Sequence, residues 1–431
     1  MNINFKDNRH LRYKRMWDLY RNKPQFKRTD GKYIPIALAS EIAKLFRDLS
    51  FRDNINATVK DNPETNQMID RLIYENDFNS ILSEASITVA VKGGAVFKNY
   101  LDEGKSKITF IQPDYYFPDV DPFDKRKTVK ETIAFPVTEN GEQFLYREIY
   151  EKRNGEYWCI TKKSVFTNNE LGADIGKVTE VNTRLTESPL TYIPFSRHNG
   201  DTFGYSLYFG LEPLFEEYNW RVSQISKILD KHSNPSIIGS PSLLDFDGNF
   251  QKGESGLYIP VDDGEVKPSY LTWESQLEAN RWYLEEVIMK MLHYLSPLNS
   301  NLYGLTKESA NSSSLSIKLK AFRTSTVIEN SLKYFEHGIK KILHQAQQLE
   351  VLAGAKYEPV IPSIEMTASM PEDNFTKAQE EQLKVVSGLS SAKSSIARLN
   401  PHYTSKEVED EFLEIINEEN ERDRLSFRSD I

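Results

Sequence analysis

The residues that could do chemistry are few. The glycine pair in "VKGGAVFK", Gly93 and Gly94 with Lys92 beside them, would let backbone amides approach a phosphate, but neither phosphate-loop pattern is complete around it. Close backbone packing, or a bulge in a strand, is the reading adopted for these glycines. "DVDPFD" clusters Asp119, Asp121 and Asp124, hard oxygen ligands of the kind a divalent cation takes. It lacks the glycine and distal glutamate of a calcium loop, so a solvated turn is expected. The histidines (10, 198, 232, 293, 337, 344 and 402) contain no H-x-x-x-H pair. His337 and His344 can share a helix face, which is too few ligands for zinc. Cys159, the one cysteine, lies in the strand-like "EYWCITK"; a lone thiol excludes a disulfide framework and a thiolate cluster, and burial is its expected role. There is no G-x-S-x-G elbow, and the scattered acids form no assignable dyad. No enzyme, cofactor or metal is expected. What remains is a basic run, Lys307, Lys318, Lys320 and Arg323, readable as a solvated helix face or as an occasional phosphate contact.

Composition narrows the classes further. The 431 residues suit two or three domains, and 39% hydrophobic with 12% aromatic side chains is enough to bury a core. No window carries the roughly 18 to 20 apolar residues of a membrane span, so no membrane partner is expected. The opening "MNINFKDNRHLRYKRMWDLY" has no apolar core of a signal peptide, and the chain is expected to mature in a reducing cytoplasm. The formal charge is −9, the opposite of a protein that grips DNA phosphates indiscriminately. Any meeting with nucleic acid should be weak or confined to a local basic patch.

The elements that must position these residues follow from periodicity. Residues 8 to 22 predict a short amphipathic helix with Leu11, Trp17 and Tyr20 along one side. A second helix starts near Ala37 with a stripe of Ile42, Leu45, Phe46 and Leu49, and a helical stretch through Met68, Leu72, Phe78, Ile81 and Leu82 runs into a strand. From about Val89 to Ser196 the pattern turns to β. "DEGK", "ENGE" and "RNGE" mark hairpin turns. An α+β domain with an antiparallel sheet results. Leu211, Leu214, Tyr218, Val222, Ile225 and Leu229 then predict a helix ended by Ser233-Asn234-Pro235. A small β-rich insert comes next, then a helix from about Glu274 to Leu295 with Leu277, Leu284, Ile288, Met291 and Leu295 on one side. From Ser314 to Ala353, Ile328, Leu332, Phe335, Ile339, Ile342, Ala346 and Leu349 recur at steps of 4 and 3. Such a helix of roughly 40 residues spans about 60 Å, more than one small domain covers, so part of it should need a further partner or subunit. "YEPVIPSIEMTASMP" is expected to return as a short strand into the earlier sheet. Two or three C-terminal helices complete the chain, one opened by a Thr404/Glu407 capping box. No internal repeat is visible.

Between the last two long helices lies "SPLNSNLYGLTKESANSSSLSIKLKAF". Pro297 ends the helix before it, Gly304 adds freedom, and Ser312, Ser313 or Ser314 can cap the next helix. The restart is well specified; the polar loop is not.

In this order, the elements resemble the portal protein of tailed double-stranded DNA bacteriophages, of the type common in phages of Gram-positive bacteria. "ASITVAVKGGAVFKNYLDEGKSKITFIQPDYYFPDVD" resembles that family's strand-Gly-strand segment. "YIPFSRHNGDTFGYSLYFGLEPLFEEYNWRVS" resembles its Pro-strand, G-x-S and acidic-aromatic helix entry, and "GLSSAKSSIARLNPHYTSKEVEDEFLEIINEEN" its C-terminal helices. The likeness runs from about residue 10 to 420, with a short insert and a rather short C-terminal region as departures. It implies an α+β, portal-like subunit: an α/β wing over 1–205, stem helices over 206–234 and 273–295, and a small β-rich clip over 235–272. A tunnel loop over 296–313, a wing-spanning helix and return strand over 314–373, and a C-terminal helical crown over 374–431 complete it. It also implies a structural, non-enzymatic ring, usually of twelve copies, at one capsid vertex of the virion, through which DNA is packaged and ejected. The implied partners are other copies of the chain, double-stranded DNA in transit, terminase, capsid or scaffolding protein, and head-tail adaptor or collar proteins. By the same resemblance the tunnel-loop set is Asn299, Asn301, Tyr303, Lys307, Asn311, Ser312, Ser313, Lys318 and Lys320, and the clip docking set is Asp245, Asp247, Asn249, Asp262 and Asp263. The competing readings are another collar or connector protein, told apart by its position in the virion, and an α+β enzyme, which would need a converging polar pocket.

Overall fold

The computed structural model describes residues 3–23, 33–60, 62–167, 170–198, 200–233, 236–241, 258–261, 269–271, 277–295, 314–369, 374–400 and 403–429. The chain divides into two compact units, one from Met1–Tyr303 with Phe322–Ser369 and one from Gly304–Ala321 with Met370–Ile431. No described helix is long and apolar enough to cross a membrane.

In the larger unit, α1 (Asn8–Tyr20) is capped by Asp7, whose side chain accepts from the His10 backbone N–H at 2.9 Å. Its inward residues are His10, Tyr13, Met16 and Leu19, while Leu11 is 58% exposed. This corrects the face expected from Leu11, Trp17 and Tyr20. Histidine enters the core because both ring nitrogens have polar partners, Asp7 Oδ1 and the Asp114 carbonyl, each at 2.7 Å. In α2 (Leu38–Ser50) Ile42, Phe46 and Leu49 of the predicted stripe are buried, and Leu45 is only half-buried. A two-residue strand β1 (Ala57–Thr58), α3 (Pro63–Glu75) and α4 (Phe78–Lys92) come next. Helix α4 is buried along almost its whole second half and continues through Val89 to Lys92, three residues past the expected turn to β. An all-apolar run reads as strand, but here neighbours cover the helix on every side.

Gly93 ends α4 in the left-handed conformation and Gly94 opens β2 (Gly94–Asp102). Strand β2 pairs antiparallel with β3 (Lys105–Ile111) through a Glu103-Gly104 turn, and on its other side with β9 (Leu190–Pro194). A short 3-10 turn leads into β4 (Tyr116–Val120), which edges a five-stranded meander with β5 (Thr128–Glu139), β6 (Glu142–Arg153), β7 (Glu156–Thr167) and β8 (Glu170–Asn182). Both expected Asn-Gly turns, Asn140-Gly141 and Asn154-Gly155, have positive φ at both residues, the signature of type I′ hairpins. The β4–β7 part of the meander carries core residues on both faces, while β8 is exposed along almost its whole length. Val96, Ile111, Tyr116, Ile133, Tyr150 and Leu190 join it to the three-stranded sheet, while Ile3, Phe117, Ala134, Leu145 and Phe166 seat the N-terminal segment on its reverse. Successive residues such as Ile133 and Ala134 thus serve opposite cores.

Helix α5 (Glu212–Ser233) carries the extended segment before α2, with Asn219 and Ser223 accepting backbone N–H bonds from Ile36 and Ile34. The insert holds β10 (Ser236–Gly239), β11 (Tyr258–Pro260) and β12 (Ser269–Leu271) in the order β11-β10-β12. The next helix is interrupted: α6 (Leu277–Trp282), a π segment over Tyr283–Met289, then α7 (Lys290–Leu295). Ile288 of the expected stripe is buried, but after the wider turn Leu292 is buried where Met291 was expected, and Met291 is 48% exposed.

Helix α8 (Ser314–Leu352) is the longest of the described helices. Every residue of its predicted stripe, from Ile328 to Leu349, is buried, and that burial is achieved inside the larger unit. Over 322–352 the helix therefore needs no further partner for this face. β13 (Ser363–Ile364) returns to β1 rather than to either larger sheet.

The smaller unit contributes three C-terminal helices, α9 (Asn374–Val386), α10 (Ala392–Leu399) and α11 (Ser405–Ser429). The Thr404/Glu407 capping box forms as expected, Thr404 N–H donating to Glu407 Oε2 at 2.7 Å and Glu407 N–H to Thr404 Oγ1 at 3.3 Å. Glu381 on α9 accepts from Arg398 Nε and a terminal guanidinium nitrogen at 3.0 and 2.7 Å and from Lys384 at 2.7 Å. These bonds lower its carboxyl from 4.5 to about 2. A depressed carboxylate stabilises above its unfolded pKa and loses that contribution as pH falls through the folded one. Acidification from pH 4.5 toward 2 is therefore expected to loosen α9 from α10. An NMR titration of the Glu381 carboxyl with a midpoint near the ordinary glutamate value would contradict this.

Candidate functional site

Most residues singled out in the sequence as functional lie outside the described part of the chain. These are Asn299, Asn301, Tyr303, Lys307, Asn311, Ser312 and Ser313, and Asp245, Asp247, Asn249, Asp262 and Asp263. Lys318 and Lys320 fall in the first turns of α8, where the backbone alone is described. The acids of "DVDPFD" serve a turn: Asp121 Oδ1 accepts from the Phe123 and Asp124 N–H groups, and Asp124 Oδ1 from Arg126 N–H. The Phe123 bond, chiefly, draws the Asp121 carboxyl below its usual value. A solvated turn is what the sequence pattern predicts. Cys159 is half-buried, and burial raises its thiol pKa.

The glycine pair marks a backbone crossing. A Cβ on Gly93 would lie 2.6 Å from the Gly204 carbonyl oxygen, and one on Gly204 only 2.1 Å from that of Gly93. The Tyr192 hydroxyl accepts from Gly204 N–H at 2.9 Å and occupies the space a Gly94 side chain would need. Close packing is therefore the right reading, at a helix end rather than a strand bulge. The crossing fixes the loop from Ser196 to Tyr205, closed by the Tyr205 N–H bond to the Ser196 carbonyl at 2.8 Å, and so fixes Arg197.

Against this loop packs α8. Gly338 lets Ile193 of β9 approach: a Cβ there would sit 2.5 Å from Ile193 Cδ1. Asn99 on β2 donates to the Ile342 carbonyl at 2.9 Å, and Gln345 to the Ser188 carbonyl at 2.7 Å. Two recesses result, of about 220 and 640 Å³, and Arg197 lines both. One side of both is a helical row on α8: Val327, Ser331, Tyr334, His337 and Lys341.

The inner recess is charged. Lys125 and Arg126 reach it from the β4–β5 turn, Arg197 from the loop after β9, and Lys341 from α8. On the wall opposite is Glu131 of β5, 3% exposed, whose Oε1 accepts from the Tyr116 hydroxyl at 2.5 Å. Burial raises its pKa against the pull of Ser188, Tyr116 and Lys341. Glu131 Oε2, Thr191 Oγ1 and Arg197 Nε are buried and have no hydrogen-bond partner among the described residues. Arg197 also donates to the Thr202 carbonyl at 2.9 Å and lies over the Tyr192 ring. Sequence reading misses this set, because its members come from elements far apart in the chain. The one local signal is His337 and Lys341 at i and i+4.

The family described as "Phage portal protein, SPP1 Gp6-like" matches residues 3–423 of this sequence. The chain belongs to that family. As a portal family protein it is structural and not an enzyme, part of the ring at a capsid vertex of a tailed-phage-type particle, with a role in DNA packaging and ejection. No curated protein matches the sequence. Among solved structures, a chain of "Virion of native gene transfer agent (GTA) particle" aligns with TM-score 0.48 and 9% identity, covering 90% of this chain and 93% of that one. Chains of "Neck of empty GTA particle computed with C6 symmetry" and "Neck of native GTA particle computed with C12 symmetry" align with TM-scores of 0.46 and identities of 10% and 11%, each covering 84% of this chain and 89% of that one.

Proposed function

We propose that the portal ring contains twelve copies of this chain, and that it conducts double-stranded DNA through its axis during packaging and ejection. The observation that carries this is the family match over residues 3–423, which spans nearly the whole chain. In this reading residues 1–205 are the wing, 206–234 and 273–295 the stem, 235–272 the clip, 296–313 the tunnel loop, 314–373 the long helix and return strand, and 374–431 the crown. Asp245, Asp247, Asn249, Asp262 and Asp263 meet terminase and later adaptor proteins. Asn299, Asn301, Tyr303, Lys307, Asn311, Ser312, Ser313, Lys318 and Lys320 border the channel, and capsid or scaffolding protein surrounds the wing. Two features support the reading. Leu383, Val386 and Leu389 at the end of α9 are 71, 78 and 81% exposed, an apolar strip suited to a neighbouring copy. A net charge of −9 per copy keeps phosphates from sticking in a ring, so that DNA slides.

Negative-stain imaging tests this directly. Purified chain, or portal vertices taken from particles, should show closed rings of twelve in axial view. Monomers in both preparations would overturn the proposal.

A further inference from the structure

We propose that the recess centred on Arg197 receives a carboxylate side chain from a second copy of this chain. The proposal rests on the ring reading and names one contact within it. The recess gathers Lys125, Arg126, Arg197 and Lys341 around a single acid, Glu131, in a chain where acids outnumber bases by 63 to 54. Arg197 and Lys341 are half-buried there, with Lys125 and Arg126 exposed at the edge, and like charges in such a concave site are costly unless an anion joins them. Among the described residues, Lys125, Arg126 and Arg197 make no ion pair, and Lys341 meets the Glu187 carboxylate only at 3.7 Å. The buried Arg197 Nε has no acceptor of its own.

The chemistry favours a carboxylate over a nucleic-acid phosphate. A recess of about 220 Å³ admits the tip of a flexible side chain, whereas a duplex phosphate is held between sugars in a stiff backbone. Glu131, the one acid lining the recess, is 3% exposed, so the cations at its edge are left without an accessible counter-charge. Val327 and Tyr334, lining the outer recess, give the methylenes of the incoming side chain an apolar path. The acid surplus of the chain means that a second copy offers such groups in number.

The test is carbodiimide coupling, which joins carboxylates to lysines in contact. Unlabelled and ¹⁵N-labelled chains are mixed before assembly, and the peptides are mapped by mass spectrometry. Lys341 or Lys125 should be joined to an Asp or Glu of the other isotope. Rings that carry no such link, or only links within one copy, would overturn this proposal and leave the ring intact. Absence of any assembly, in solution and in particles, would overturn both. Lys341→Met and Arg126→Ala should each weaken self-association about tenfold, as loss of one partner of an interfacial charge pair does. Arg126 sits at the mouth and holds no part of the fold together, so folded Arg126→Ala with unchanged association counts against the contact. Weaker duplex DNA binding by that variant, with association unchanged, would make the recess a phosphate site instead.

Discussion

Gly204→Ala should destabilise the larger unit by about 3 kcal/mol, at the upper end of what overpacking costs. The added methyl would lie 2.1 Å from the Gly93 carbonyl oxygen, 2.8 Å from Pro194 Cβ and 2.9 Å from the Ser196 carbonyl oxygen. Two of these obstacles are backbone, and neither can swing away as a side-chain tip would. Gly93 O accepts from Phe195 N–H at 3.0 Å, and the same loop is tied to α4 by Leu207 N–H donating to the Ala90 carbonyl at 2.8 Å. Relief of the clash therefore breaks hydrogen bonds that join α4, β9 and the Arg197 loop. Gly200→Ala is the natural comparison: Gly200 has a left-handed φ of +89°, and nothing lies within 4 Å of its Cβ. That change should cost about 1 kcal/mol, the penalty of the left-handed backbone alone. Urea unfolding of both variants, followed by intrinsic fluorescence, separates steric clash from backbone strain; equal midpoints would show that the crossing is loose.

Legibility in the sequence follows locality. The hairpins are readable because Asn-Gly fixes a turn within four residues, and the α8 stripe because seven apolar positions repeat without interruption. The glycine crossing is half readable. Gly93 and Gly94 announce close packing, but Gly204 and Tyr192, the residues they meet, carry no local mark of it. Faces set by tertiary contacts are misread: α1 turns His10 inward because Asp114, over a hundred residues on, accepts its ring nitrogen, and the π segment at 283–289 moves the inward face from Met291 to Leu292. The Arg197 recess is invisible for a related reason. Its cations are solvated-looking residues in three separate segments, and only the packing of α8 on β9, through Gly338, brings them together.

That same packing sets the outcome of shortening the polar loop. A deletion within Asn299–Ser313 is expected to cut genome packaging or retention by an order of magnitude or more while rings still form. Assembly should survive because the described contacts that seat α8 lie further along it. The stripe from Ile328 to Leu349 is buried, Asn99 of β2 donates to the Ile342 carbonyl and Gln345 to the Ser188 carbonyl before β9, and Glu350 receives the Tyr357 hydroxyl at 2.8 Å and an Arg71 terminal nitrogen at 2.5 Å. These contacts lie within residues 71–357, outside the deleted segment. Its composition fits passage of a polyanion: small, polar and uncharged residues dominate, with Lys307 as its one cation, so contacts to phosphate would be weak and salt-dependent. The measurement is encapsidated DNA per particle, with rings counted by electron microscopy in the same preparation. Normal DNA content with intact rings would remove the loop from the DNA path. Loss of rings together with DNA would instead place the loop in the contacts between copies, where its Asn and Ser side chains would bond to a neighbour rather than face moving DNA.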